Sequence, residues 1–210
     1  MSTAQTQQRF SAEDRRQQIL QVATELFASK GYDGATTREI AKRAKINEAI
    51  IFRHFPTKEE LYWAVIEAKC QVTAKKSFLA DILASDKSVR DTFVDLAETI
   101  LHRREKDQTL TRLLFFSALE NHRLSHRFFQ SYVEDYYEIL GDYIRQRIHS
   151  GQFRKVDPLL AARGFLGMIV YHSLIQDLFG GSKFHAYDVH EVAESMTDIW
   201  LEGILTRNAQ

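Results

Sequence analysis

Cysteine and proline are nearly missing from this chain of 210 residues, which has one of the first and two of the second. A single cysteine, Cys70, excludes an internal disulfide framework and any zinc cluster built on several thiolates, and it reads as an inert thiol. Two prolines and nine glycines are too few punctuators for a sandwich or barrel of many short strands. The first 18 residues are polar, without the apolar stretch of a secretory signal. The longest apolar run, around Phe165–Leu178, is interrupted by Gly167, His172, Gln176 and Asp177, so it is expected to be too short and too polar to span a bilayer. An excess of charge of one sign is also lacking, because 28 Lys and Arg balance 28 Asp and Glu. What is present, 44% hydrophobic and 27% charged residues, is the make-up of a globular chain. The expectation is a cytoplasmic, all-α protein of about nine helices, with no membrane partner and no cofactor.

The overall balance hides an asymmetry. Residues 1–58 carry ten basic and six acidic groups, a net of +4, which leaves a net of −4 on the remaining 152 residues. A basic head on an acidic body points to an anionic partner for the head. Residues 1–10 read as a polar, flexible arm. Ser11 reads as an N-cap with Glu13 and Asp14 in the first turn, and Ile19, Val22, Ala23, Leu26 and Phe27 share one face of a helix that Gly31 stops. Thr36 and Glu39 form a capping-box pattern opening a short helix to Ala44. Lys45-Ile46-Asn47 is a break before a second short helix, Glu48 to His54, which Pro56 ends. Thr57 caps a long helix from Lys58 to about Leu83. Further helices are expected at 87–105, 108–121, 125–149, 158–179 and 188–206, the fourth opened by Asp157-Pro158, a cap followed by proline at the first helical position.

Two short helices joined by about three residues, braced by longer helices on either side, make a helix-turn-helix pattern. A helix of seven residues is about 10 Å long, enough to place side chains on base edges in a major groove about 12 Å wide. The residues that carry the pattern, Gly31-Tyr32-Asp33-Gly34-Ala35-Thr36-Thr37-Arg38-Glu39-Ile40-Ala41 and then Phe52-Arg53-His54-Phe55-Pro56-Thr57-Lys58-Glu59-Glu60-Leu61, resemble the DNA-binding domain of the TetR family of bacterial transcriptional regulators. The resemblance covers residues 12–63, about a quarter of the chain. It implies a DNA-binding domain at 11–63, with the helix-turn-helix at about 35–54, and a larger helical effector-binding and dimerisation domain at 64–210. It also implies a homodimer on palindromic double-stranded operator DNA, released by a small molecule.

By position, the resemblance assigns Thr36 and Thr37 to a phosphate and Arg38 to a base or phosphate. Lys45, Asn47, Glu48, Ala49, Ile50, Phe52, Arg53 and His54 span the turn and recognition helix, and Lys58 meets the DNA backbone. Three features depart from the family pattern. Phe52 stands where a tyrosine usually bonds a phosphate, so one such contact is expected to be missing. Glu48 either accepts from a cytosine amine or caps the recognition helix. Ala49 and Ile50 replace small and hydroxylated residues, which suits apolar contact with a thymine methyl.

Aromatic residues crowd the middle of the chain, and a pocket there would suit an apolar or aromatic effector. Candidate lining residues are His102, Phe115, Phe116, Asn121, Phe129, Tyr132, Tyr136, Phe165, His172 and Gln176. For the dimer, Ala161, Gly164 and Gly167 form a small-residue ridge that Met168, Tyr171 and Ile175 continue, and Val192, Met196 and Trp200 lie on a second stripe. His122 and His126 are four apart but straddle a helix break expected at Leu124-Ser125, so no metal site is expected. No grouping of nucleophile, base and acid and no phosphate-cradling glycine loop occurs. A helical enzyme would need inward Glu-x-x-His pairs, and the nearest approach, Glu194 to Thr197, lacks the histidine. A helical adaptor that keeps the motif without using it is the other alternative, separable by salt-sensitive DNA binding.

Overall fold

Ser11 opens the first helix by a reciprocal capping box. Its hydroxyl accepts from the Asp14 N–H at 3.0 Å, and its own N–H donates to the Asp14 carboxylate at 3.1 Å. The Ser11 hydroxyl also donates to the Asp14 carboxylate at 2.7 Å, and this bond, with that from the Ser11 N–H, holds the carboxyl below its ordinary pKa. The computed structural model describes residues 11–70, 79–106, 108–120 and 122–206, so the expected arm at 1–10 lies outside the described residues. The order is α1 (Ala12–Gly34), α2 (Thr37–Arg43), α3 (Glu48–His54), α4 (Lys58–Cys70), α5 (Val89–Lys106), α6 (Thr109–Glu120), α7 (His122–Phe128), α8 (Glu134–His149), α9 (Pro158–Ser173) and α10 (Val189–Ile204), with a helical stretch at 79–83. Among the described residues there is no strand, only an isolated antiparallel bridge between Phe153 and Leu205.

The chain divides into two compact units, Met1–Cys70 with Arg112–Leu124, and Gln71–Thr111 with Ser125–Gln210. The first unit thus runs seven residues past the boundary expected after residue 63, with Leu61 to Ile66 and Cys70 of α4 buried. That unit also takes in a later stretch of chain. Its core joins Ile19, Ala23, Leu26 and Phe27 of α1 to Ile40 of α2, Ile51 of α3 and Leu61, Tyr62 and Val65 of α4. The Tyr62 ring meets Phe27 edge-on at 4.8 Å and Tyr32 at 5.3 Å, and its hydroxyl donates to the Leu113 carbonyl at 2.6 Å. Burial raises the Tyr62 pKa well above the ordinary phenol value, so it remains a donor at any physiological pH. Arg112 donates to the Ala28 carbonyl at 2.7 Å, and Arg123 pairs with Glu59.

In the second unit Phe93 of α5 is the hub. Its ring lies 4.8 Å from Phe165 of α9 and 4.5 Å from Trp200 of α10, with Tyr143 and Phe153 completing an aromatic cluster. Such pairs add about 0.5–1.5 kcal/mol each beyond the area they bury. Asp157 caps α9, accepting from Leu160 N–H at 2.8 Å with Pro158 behind it, as expected from the sequence. Arg90 of α5 donates to Asp198 and Glu194 of α10.

Three expectations are revised. The helix break expected at Leu124-Ser125 does not occur, since 122–149 is helical throughout, through a π turn at Phe129–Val133. A second π turn, Leu174–Leu178, prolongs α9, giving a continuous run of 21 residues that is by length and composition apolar enough to cross a membrane. Ala162, Phe165, Leu166, Ile169 and Ser173 of this run are buried in the unit's own core. The expected stop at Gly31 takes the form of a kink. Gly31 has φ +76° and ψ −178°, a conformation open essentially to glycine alone.

A Cβ at Gly31 would lie 2.1 Å from the Glu120 carboxylate, which accepts from the Asp33 N–H at 3.1 Å. Gly31→Ala is expected to cost about 2–3 kcal/mol of unfolding free energy from backbone strain and the displaced carboxylate. Urea titration of Gly31→Ala, Glu120→Ala and the double variant measures this. The glycine substitution should cost less in the Glu120→Ala background, where only the strain remains.

Candidate nucleic-acid interface

The helix-turn-helix is assembled from local bonds. Thr36 caps α2, its hydroxyl accepting from Glu39 N–H at 3.1 Å, while Glu39 turns to Lys30 at 2.8 Å. At the far end of α2 the chain closes a Schellman motif. Ile46 N–H donates to Ala41 carbonyl at 3.0 Å and Lys45 N–H to Lys42 carbonyl at 3.2 Å. The left-handed residue that such a closure needs is usually glycine; here it is Lys45, with φ +53°. Asn47 then caps α3, its side-chain oxygen accepting from Ala49 N–H at 2.9 Å.

Glu48 neither caps α3 nor projects freely. Its carboxylate accepts from the Thr37 hydroxyl at 2.6 Å, bracing the start of α3 against the start of α2. The cap reading of Glu48 is corrected, because Asn47 holds that position, and the Thr37 hydroxyl is engaged within the motif. Lys58 is likewise engaged, its ammonium 4.3 Å from the centre of the Tyr32 ring. Burial pulls the Lys58 pKa down, while Asp33 and Glu120 pull it up.

Of the other expected DNA-facing residues, Arg38, Lys45, Asn47, Ala49, Phe52 and Arg53 are exposed, and Ile50 and His54 are half-buried. Ile51 beneath them is fully buried. Two exposed cations escaped the sequence reading, Lys42 and Arg43, because basic residues in a helix's last turn also serve its dipole. Arg38, Lys42, Arg43, Lys45 and Arg53 pair with no carboxylate among the described residues. Three of these five positive groups lie on α2, one on the turn and one on α3.

The expected pocket residues do not gather. Phe115 and Phe116 belong to the first unit, where Arg112 lies over the Phe116 ring at 6.0 Å. Phe165 is fully buried in the aromatic core of the second unit, so it is packing and not cavity wall. Phe129 stands against Tyr137 at 6.4 Å, Tyr136 packs on the core and His102 is exposed. Asn121 lies outside the described residues, as does the side chain of Tyr132. His172 and Gln176 do meet, lining a cavity of about 160 Å³ with Leu101, Ser173, Asp177 and Tyr187. The Tyr187 ring meets His172 edge-on at 5.7 Å, and burial lowers the His172 pKa, leaving a neutral imidazole at pH 7.

The expected dimer stripe divides in two. Val192 and Trp200 are corrected to the chain's own core, with Trp200 Nε1 donating to the Ala161 carbonyl at 3.1 Å. Gly164, Gly167 and Tyr171 are exposed, Ala161, Met168, Ile175 and Met196 half-buried. Leu160 and Ile199, 65% and 64% exposed, join that outward face. Leu160 was legible, since it stands four residues before Gly164 on the same ridge.

Two family models match the chain: bacterial regulatory proteins of the tetR family over residues 19–65, and the C-terminal domain of AefR-like transcriptional repressors over residues 92–203. A nucleoid occlusion factor, SlmA of Vibrio atlanticus, is 31% identical over 164 residues, covering 74% of this chain and 80% of that protein. An HTH-type transcriptional repressor of Mycobacterium tuberculosis is 49% identical over 49 residues, covering 23% and 26%. Among solved structures, the regulator FadR of Bacillus subtilis in complex with stearoyl-CoA has a TM-score of 0.70 at 19% identity, covering 89% of this chain and 98% of that one. The last likeness is one of fold.

Lys45→Gly relieves a left-handed lysine and removes a cation. Thermal and urea unfolding are expected to show a gain of about 0.5–1 kcal/mol, the αL penalty of about 1–2 less the entropy that glycine adds to the unfolded chain. A variant less stable than the parent would contradict this account of the turn.

Proposed function

The chain belongs to the TetR family of bacterial transcriptional regulators, and we propose that it is a repressor that binds a palindromic operator as a two-fold dimer and leaves it when a small molecule binds the second unit. The observation that carries the reading is the set Arg38, Lys42, Arg43, Lys45 and Arg53 on α2, the turn and α3, which pairs with no carboxylate among the described residues. Unpaired cations on a helix-turn-helix are what phosphates neutralise, with release of counterions. A likeness to repressors by both family-model and relative supports the sign of regulation.

The dimer reading rests on the uncovered apolar face of α9 and α10, where Leu160, Tyr171 and Ile199 stand in the open and Gly164 and Gly167 offer close approach. The effector reading rests on the cavity beneath the π turn at Leu174–Leu178. At about 160 Å³ it suits a molecule with one aromatic ring, far smaller than an acyl-CoA. Such a ligand would stack near His172 and Tyr187 and hydrogen-bond with Gln176.

A second reading comes from SlmA, whose likeness extends well past the helix-turn-helix. On that reading the chain is a DNA-bound factor acting in nucleoid occlusion. Chromatin immunoprecipitation separates the two: a few sites beside promoters mark a repressor, and many sites dispersed over the chromosome mark an occlusion factor.

Two measurements test the main reading. Genomic fragments selected by the purified protein should bind with a steep salt dependence, and Arg38→Ala should lower the slope by about one unit per half-site. Gly167→Glu should yield a monomer by sedimentation and abolish tight operator binding. A Cβ at Gly167 meets nothing within 4 Å, so the folded monomer accommodates the substitution. A Gly167→Glu protein that remains dimeric would remove this face from the proposal.

A further inference from the structure

The outward face of α3 is almost without hydrogen-bonding groups. At 100° per residue, the side opposite the buried Ile51 is centred on Ala49 and Arg53 and flanked by Ile50 and Phe52. Ala49, Phe52 and Arg53 are exposed and Ile50 is half-exposed. Three of these four side chains are apolar. The polar residue that would otherwise project from the start of the helix, Glu48, is held by Thr37 at 2.6 Å. Asn47 commits its side-chain oxygen to the Ala49 N–H.

On the major-groove edges of the base pairs the projecting groups are hydrogen-bond donors and acceptors, with one apolar exception, the C5 methyl of thymine. Pressing Ile50 or Phe52 onto a polar edge would strip water from it and return no hydrogen bond. Against a thymine methyl the same side chains bury apolar surface on both sides. Phe52, having no hydroxyl to give a phosphate, is free to take part.

We propose that α3 reads its half-site through thymine methyl groups, with Ala49, Ile50 and Phe52 as the methyl-contacting face and Arg53 as the polar reader beside it. This rests on the operator-binding reading above and adds the base feature that is read. Contacted half-site positions are then thymines, in place of the guanine-rich steps that a face of arginines and lysines would select.

The test uses operator fragments selected by the full-length protein and remade with deoxyuridine for thymidine, a change that deletes the C5 methyl and leaves the hydrogen-bonding edge intact. Wild-type affinity should fall about three- to fourfold for each contacted methyl, the burial free energy of one such group. Replacement base by base should confine the loss to a few positions per half-site. Ile50→Ala and Phe52→Ala, confirmed folded by circular dichroism, should each show a smaller ratio of thymine to uracil affinity than the parent. Equal binding of both DNAs by the wild type overturns the proposal and leaves the operator reading intact. An undiminished ratio in both variants also overturns it, since the methyl effect would then lie in the DNA itself. Failure to select any DNA overturns both readings together.

Discussion

A helix of seven residues has no stability of its own in water. The recognition helix α3 exists because Ile51, its one fully buried side chain, is held in the core of the first unit. Everything the interface offers follows from that anchor. Burying Ile51 faces Ala49 and Arg53 outward, and the brace from Thr37 to Glu48 fixes how α3 meets α2. Phe55, buried just beyond the helix, fixes the exit of the chain, with Arg16 lying 5.1 Å from its ring centre. Two apolar contacts and one short hydrogen bond thereby do for α3 what length does for longer helices.

Much of this architecture was legible in the chain. Ser11, Thr36, Thr57 and Asp157-Pro158 announced helix starts because capping is a local transaction between a side chain and the next turn. Gly31 was legible for a similar reason. The turn at Lys45 was legible as a break but not as a left-handed residue, since no glycine marks it. The two π turns left no pattern, because one extra residue per turn shifts the apolar phase without interrupting it. Apolar periodicity located the faces of α9 and α10 correctly but could not say whose core they enter. Trp200 and Val192 turned inward, and Leu160 and Ile199 outward.

Contacts between residues far apart in sequence were out of reach. The bond from Thr37 to Glu48 spans eleven positions and depends on how two helices pack. Its recognition replaces the cap reading of Glu48 with that of a brace between α2 and α3. Phe115 and Phe116 were assigned to an effector pocket by composition, whereas the chain returns that segment to the unit holding the helix-turn-helix. Strain at Lys45 also acquires a meaning only in the fold: a residue that glycine would replace more comfortably supplies one of the five cations on α2, the turn and α3.

The first unit is assembled from two separate stretches of chain, and this bears on how it is made. Residues 112–124 supply Arg112 to the Ala28 carbonyl, Leu113 to the Tyr62 hydroxyl, Glu120 to the turn at Gly31 and Arg123 to Glu59. None of these partners exists when a ribosome has released only the first 70 residues. At about 5–20 residues per second the nascent unit waits several seconds for its last wall. Throughout that interval Tyr62 lacks its acceptor and the glycine turn lacks its carboxylate. A helix-turn-helix excised at Cys70 would be left in the same unfinished state, so the reading head of this regulator is completed only by residues 112–124 and is not a module that can be cut from its front.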